Sequence, residues 1–373
     1  MIDVAFLIGN LNKEHGGAQQ LLFDLCCNLP SNEFETTVYY MFGNGTFEPE
    51  FERIGATVVD LDASTNYDAK TFAGLIRELD DENYDILHTN SPISGTWGRL
   101  AAILAGVPNI VSVEHNVHTA YSRFTRTVNG LTLPLADTIV GVSRSVTDSY
   151  LDWERHLIGK SAHCVTIRNG VNVAAIRRTF DRSDEILREY TPFSPSDTIV
   201  GTMGRLHRQK GYGYLIRSFP TVKQNVKNAK LLVIGDGPER EKLETMVERT
   251  GYERDIHFTG YVPDVYPFLP NFDIAVFPSV WEGFGLTPVE SMAAKRPVIG
   301  TNIPPFKEVI DDAGILVEPE DEEALASAIT SLLQNPERRR ELGAKGYNRV
   351  VNQFSIERTV EEYAELYRWL LDE

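Results

Sequence analysis

Short apolar runs alternate with longer helical patterns along almost the whole chain, and that rhythm leaves few architectures open. The runs 4–8, 36–41, 57–61, 86–88, 110–113 and 138–142 have strand length, and a helical pattern fills 18–28 between the first two. A strand, a helix and another strand in repetition signals parallel pairing through crossovers, so the fold class is α/β. Residues 1–173 are expected to form one Rossmann-like, doubly wound domain. The stretch 174–195 is charged and interrupted by Pro192 and Pro195, and it reads as a linker. After it the rhythm restarts at 199–203, 231–234, 256–258, 274–277, 298–300 and 315–317, which places a second Rossmann-like domain over 196–354. From Ile356 the spacing Ile356, Val360, Tyr363, Tyr367 and Leu370 puts apolar side chains on one face of a last helix, 355–373, which must dock on something.

Composition narrows the partners. At 373 residues and 42% hydrophobic the chain can bury two cores. Its net charge of −17 excludes a general nucleic-acid binder, because phosphate backbones attract basic surfaces. An anionic ligand therefore needs a local basic site. The three cysteines, Cys26, Cys27 and Cys164, form no C-x-x-C pair, so neither a zinc site nor a disulfide framework is indicated, and a cytoplasmic location fits. No segment approaches the roughly 20 apolar residues that span a bilayer, which leaves surface attachment as the membrane role available.

In open parallel sheets ligands sit beyond the carboxyl ends of the strands, so the residues after each strand carry the chemistry. After the run ending at Met203 stands Gly204-Arg205-Leu206-His207-Arg208-Gln209-Lys210-Gly211. Arg205 offers a bidentate fork and Lys210 a compact charge to a diphosphate; the plainer reading is a solvated basic loop. After the run ending at Phe277 stands Trp281-Glu282-Gly283-Phe284-Gly285-Leu286-Thr287-Pro288-Val289-Glu290. Glu282 lies on the loop and Glu290 inside the next helix. The amides of Gly283 and Gly285 suit a phosphate or sugar oxygen at a helix start, and the plainer reading is a tight turn with two surface glutamates.

The order of Gly16-Gly17-Ala18-Gln19, Asn169-Gly170-Val171, Gly204-Arg205 with Lys210-Gly211, Gly235-Asp236-Gly237-Pro238 and the Glu282/Glu290 pair resembles glycosyltransferase family 4 over essentially the whole chain. The resemblance implies a GT-B fold, two Rossmann-like domains facing a central cleft, and transfer with retention of configuration. It implies that Arg205 and Lys210 bind the diphosphate of a UDP-, GDP- or ADP-sugar, that Glu282 bonds the donor sugar and that Glu290 holds the ribose. It further implies phosphate and sugar contacts from the amides of Gly283, Phe284, Gly285 and Leu286, a flexible Gly16-Gly17 loop near the diphosphate, and a catalytic role for His115. A lone histidine after an apolar strand otherwise reads as structural. The last helix would cross back onto the first domain, and no cofactor or metal is implied.

Three further features bear on rivals. Gly235-Asp236-Gly237-Pro238-Glu239-Arg240 begins like a dinucleotide fingerprint, but Arg240 stands at the third glycine, which argues against a nicotinamide enzyme. Asp60-Leu61-Asp62 matches a manganese-binding D-x-D but lies far from the basic loop, so it reads as a solvated turn. The segment 119–137 mixes Tyr121, Phe124, Leu131, Leu133 and Leu135 with Arg123 and Arg126; it is either a packed helix or a face for a lipid-linked acceptor or membrane surface. The expected partners are a nucleotide-sugar donor and a glycan or lipid-linked acceptor in cell-surface polysaccharide, glycolipid or glycoprotein synthesis. A GT-B sugar phosphorylase and a non-catalytic partner subunit are the alternatives.

Overall fold

A computed structural model describes residues 1–12, 16–66, 68–90, 92–159, 162–194 and 196–372. The chain divides into two compact units, Met1–Gly170 with Ile356–Glu373, and Val171–Ser355.

The first unit holds seven parallel strands: β1 (Ile2–Asn10), β2 (Phe34–Phe42), β3 (Thr57–Asp60), β4 (Ile86–Asn90), β5 (Asn109–Glu114), β6 (Thr138–Gly141) and β7 (His163–Thr166). Their order is β3-β2-β1-β4-β5-β6-β7, with Val4 of β1 in register with Ile86 of β4. The helices are α1 (Gly17–Asn28), α2 (Glu48–Arg53), α3 (Ala69–Glu82), α4 (Pro92–Ala105), α5 (Arg123–Thr132), α6 (Arg144–Thr147) and α7 (Asp152–Ile158). On one face of the sheet Leu7, Tyr39, Leu87, Ile110 and Ile139 pack against Leu75, Leu79, Ala101 and Leu133. Parallel strands are covered on both faces, which is why their runs are continuously apolar rather than alternating.

The second unit contains α8 (Val173–Arg178), α9 (Ser183–Tyr190), β8 (Thr198–Met203), α10 (Tyr212–Asn225), β9 (Ala229–Ile234), α11 (Arg240–Thr250), β10 (Ile256–Phe258) and β11 (Ile274–Phe277). It continues with α12 (Leu286–Ala293), β12 (Val298–Thr301), α13 (Pro304–Val309), β13 (Ile315–Val317), α14 (Glu322–Leu333) and α15 (Pro336–Gln353). Its sheet runs β10-β9-β8-β11-β12-β13, so both sheets reverse their strand order beside their own first strand. Val200, Leu231, Val233, Ile274 and Ile299 form its centre with Ile216, Phe219, Leu243 and Ile329. Each such side chain contributes about 1.5–3 kcal/mol by leaving water.

Two expectations change. The stretch 174–195 carries α8, capped by the Asn172 side chain on the Ala175 amide, and α9, which buries Ile186 and Leu187; Pro195 lies outside the described residues. The strand β7 was not expected from the sequence. It is an edge strand whose His163 and Cys164 are exposed, so it lacks the apolar run that marks the others.

The last helix, α16 (Ile356–Asp372), buries the expected stripe, with Ile356, Val360, Tyr363, Tyr367 and Leu370 all inside the first unit. The Tyr367 hydroxyl and His88 Nδ1 lie 2.6 Å apart in full burial, and Thr359 Oγ1 donates to the Arg168 carbonyl at 2.8 Å. Burial pulls the His88 pKa down to about 3, so this ring is neutral at pH 7. No helix of the described residues is long and apolar enough to cross a membrane.

The carboxyl ends of the second sheet are laced together by backbone. Leu206 N–H donates to the Asp236 carbonyl at 2.9 Å, Glu239 N–H to Leu206 at 3.0 Å, and Val280 N–H to Gln209 at 2.8 Å. Glycine is required where these loops touch: a Cβ on Gly235 would lie 2.2 Å from the Gly204 carbonyl oxygen, and one on Gly211 (φ +65°) 2.0 Å from that of Pro278.

Two outcomes are expected. Tyr367→Phe leaves His88 Nδ1 buried without its partner and should lower stability by about 1–3 kcal/mol in urea unfolding; no change would mean that the bond contributes nothing. Gly211→Ala should cost roughly 1–3 kcal/mol or more, because the methyl group drives the β8 and β11 loops apart; an unchanged melting temperature would show that the loops yield freely.

Candidate functional site

In the second unit the site grows from the two strands that flank the reversal of strand order. There the connections leave in opposite directions and leave a crevice at the strand ends. The loop after β8 turns at Gly204 (φ +136°), a conformation that favours glycine, and closes as a short 3-10 turn, Arg208–Lys210. The loop after β11 runs from Ser279 to Gly285 (φ +109°), which opens α12.

These loops meet at Glu282. Its Oε1 accepts from Lys210 Nζ at 2.7 Å and from Ser279 Oγ at 2.7 Å, and its Oε2 accepts from Gln209 Nε2 at 2.9 Å. The Glu282 residue is only 6% exposed, so the charged partner offsets a large desolvation cost; a buried carboxylate left without its cation costs about 3–5 kcal/mol. A carboxylate offers about four acceptor sites. Three are taken among the described residues.

The other expected residues surround this centre. Arg205 is exposed on the same loop, and no ion pair to it is found among the described residues. Gly283, Phe284 and Gly285 are buried and Leu286 is half-buried as the first residue of α12, whose initial amides lack intrahelical acceptors. Glu290, one turn into α12, accepts from the Tyr266 hydroxyl at 3.2 Å. Sequence reading missed Gln209, Ser279 and Tyr266, which mark themselves only once the loops are folded together.

In the first unit Gly16 (φ +123°) caps α1, and no atom of the described residues lies within 4 Å of where its Cβ would be; Gly17 is the first helical residue. Lys13, Glu14 and His15, just before them, lie outside the described residues. His115 follows β5 and its Nε2 donates to Asn90 Oδ1, at the end of β4, at 2.9 Å. Burial pulls its pKa down to about 4, so at neutral pH it is an uncharged imidazole with Nδ1 as its acceptor nitrogen.

Its neighbour Glu114 points into a different environment. Glu114 Oε1 accepts from Asn129 Nδ2 at 3.0 Å, and Oε2 lies 3.4 Å from His118 Nε2, while His118 Nδ1 lies 3.1 Å from Glu154 Oε1. Burial alone would lower the His118 pKa, but the hydrogen bonds and charges of Glu114 and Glu154 outweigh it and raise it. Asp60, of the D-x-D, accepts the Asp62 amide at 2.8 Å and so closes a turn.

A family profile described as "Glycosyltransferase Family 4" matches residues 15–175, and one described as "Glycosyl transferases group 1" matches 183–349. The chain is 30% identical over 264 residues to a phosphatidyl-myo-inositol mannosyltransferase of Mycobacterium leprae, covering 69% of this chain and 67% of that one. It is 25% identical over 325 residues to the capsular polysaccharide biosynthesis glycosyltransferase CapM of Staphylococcus aureus, covering 82% of each. In fold it is similar to Anabaena HepE, solved with UDP and glucose, at a TM-score of 0.84 and 18% identity over 98% of this chain and 99% of that one. With both halves matched in order and the site residues standing at the strand ends that such a fold uses, the chain belongs to glycosyltransferase family 4.

Proposed function

We propose that the protein transfers a sugar from a nucleotide-diphosphate donor to an acceptor hydroxyl with retention of configuration, and that the loops after β8 and β11 hold the donor. The observation that carries this reading is the Lys210–Glu282 pair, a half-buried lysine on a buried glutamate between two strand-end loops, on a chain whose net charge is −17. Arg205 forks onto the diphosphate and Lys210 turns from Glu282 to the phosphate oxygens as they gain charge. Glu282, still held by Ser279 and Gln209, accepts from hydroxyls of the donor sugar. Glu290 takes the ribose, and the first amides of α12 add phosphate contacts.

The bond from the anomeric carbon to the diphosphate breaks as the acceptor oxygen attacks from the same face, and the acceptor's proton passes to the departing phosphate oxygen. Two cations supply the charge that this step needs, so the reading calls for no metal. In the first unit, His115 is available as a neutral hydrogen-bonding group, and Gly16 and Gly17 as bare backbone. The relatives named for capsular polysaccharide and for phosphatidyl-myo-inositol support a cell-surface glycan or lipid-linked acceptor, and the neighbour solved with UDP and glucose puts UDP-sugars first among donors to try.

The test is a thermal-shift panel of UDP-, GDP- and ADP-sugars. A ligand at a hundred times its dissociation constant adds about 2.7 kcal/mol of stability. Stabilisation by one nucleotide sugar, weakened in Arg205→Ala, is the expected result; silence toward all of them, with phosphate-dependent glycan cleavage instead, would point to a phosphorylase. Glu282→Ala should keep nucleoside diphosphate binding and lower turnover by about 100-fold or more, and wild-type turnover would remove Glu282 from the mechanism.

A further inference from the structure

His115 is uncharged at neutral pH, so its ring carries one N–H, and the nitrogen that bears it decides what the other can do. Nε2 lies 2.9 Å from Asn90 Oδ1. An amide oxygen only accepts, so this contact puts the proton on Nε2 and leaves Nδ1 a lone pair for a substrate hydroxyl. It does so only while Asn90 keeps its oxygen against the ring. With the amide turned over, the Asn90 nitrogen would donate to Nε2 and drive the ring proton to Nδ1.

The Asn90 nitrogen does nothing to prevent that turn. Asn90 is 3% exposed, and its Nδ2 is buried with no hydrogen-bond partner among the described residues. An unmade bond of this kind costs stability, so the orientation is decided by what the oxygen accepts. A second imidazole stands beside it. His88 lies two residues back on β4, on the same face of the sheet, and it bonds the Asn90 side chain as well.

The His88 proton is placed from α16. The Tyr367 hydroxyl lies 2.6 Å from His88 Nδ1, and both residues are buried. Burial pushes the Tyr367 pKa well above the ordinary tyrosine value, so the phenol keeps its proton and donates it to Nδ1. The neutral His88 ring then carries its own proton on Nε2, which is the nitrogen left for Asn90. The rings of Phe6 and Tyr363, 4.9 and 5.4 Å away between centroids, hold the imidazole in this pose. Two N–H groups therefore meet Asn90 Oδ1, whose two lone pairs can take both, and turning the amide would break two bonds.

We propose that Asn90 is the positioning residue for His115, and that Tyr367 of α16, acting through His88, holds Asn90 in the orientation that keeps the His115 Nδ1 lone pair available to substrate. The proposal rests on the role given to His115 above, and all four residues belong to the first unit. It gives the last helix a part in the chemistry as well as in the core.

The test is the nitrogen spectrum of protein labelled with heavy nitrogen in its histidines, in which the two tautomers of a ring give distinct signals; His115→Gln and His88→Gln assign them. In the wild type both rings should appear protonated on Nε2. Asn90→Leu should convert His115 to a mixture of tautomers and lower turnover about tenfold or more, with the Kd of the nucleotide sugar unchanged. Tyr367→Phe leaves Asn90 in place; it should mix the tautomers of His88 and move His115 in the same sense. A wild-type His115 protonated on Nδ1 overturns the proposal, as does a His115 signal that neither variant moves, or full turnover in Asn90→Leu. The spectrum needs no substrate, so its outcome is separate from that of the sugar-transfer reading.

Discussion

The loop after β8 is bonded by backbone to its neighbour on either side, to Asp236 and Glu239 beyond β9 and to Val280 beyond β11, and the geometry of the second unit's strand ends depends on that lacing. Backbones come this close only where no Cβ intervenes, which is the reason for Gly235 against Gly204 and for Gly211 against Pro278. Closeness then does chemical work, since it delivers Lys210 and Gln209 from one loop and Ser279 from another to the two oxygens of Glu282. A site made of strand-end loops is normally the mobile part of a sheet. Here backbone bonds lace the loops together, and side-chain bonds between those loops fix Lys210 and Glu282.

The first unit treats its charges in the opposite way. His88 and His115 are kept neutral by burial, with pKa values near 3 and 4, and each is tied to a neutral partner, Tyr367 and Asn90. A few residues away, Glu114, His118 and Glu154 form a chain of titratable groups as deeply buried, in which Glu114 and Glu154 raise the His118 pKa and His118 and Arg99 lower that of Glu114. The strand end of β5 is thus where adjacent residues divide, with His115 bonded to Asn90 at the end of β4 and Glu114 bonded to Asn129 of α5.

Much of this was legible in the sequence. Twelve of the thirteen strands among the described residues announce themselves as short apolar runs, most of them because both faces of a parallel sheet are covered; β7 does not, since an edge strand of His163, Cys164, Val165 and Thr166 has little to bury. The stretch taken for a linker hides α8 and α9 because charges and prolines signal a break more strongly than two buried residues, Ile186 and Leu187, signal a helix. The site's cations and glutamates could be named from their places after strands, but not their partners. Gln209 looks like an ordinary loop residue until a segment 73 positions away is brought within 2.9 Å, and Ser279 like one until its own loop turns its hydroxyl onto Glu282. Likewise the periodicity of α5 is plain, while its direction is not, because that is decided by Asn129 meeting Arg99 and Glu114 from other elements.

The docking of α16 also governs how the protein can be made and recombined. The first unit consists of Met1–Gly170 and Ile356–Glu373, so its core is closed by residues translated after the entire second unit. During synthesis His88 and the surface that awaits Tyr363 and Tyr367 stay open while Val171–Ser355 emerges and folds as a continuous segment. An exchange of halves between relatives that cuts once near residue 170 would therefore separate one hydrophobic core into two parents, whereas a graft of 171–355 moves a self-contained piece and leaves the recipient's core whole.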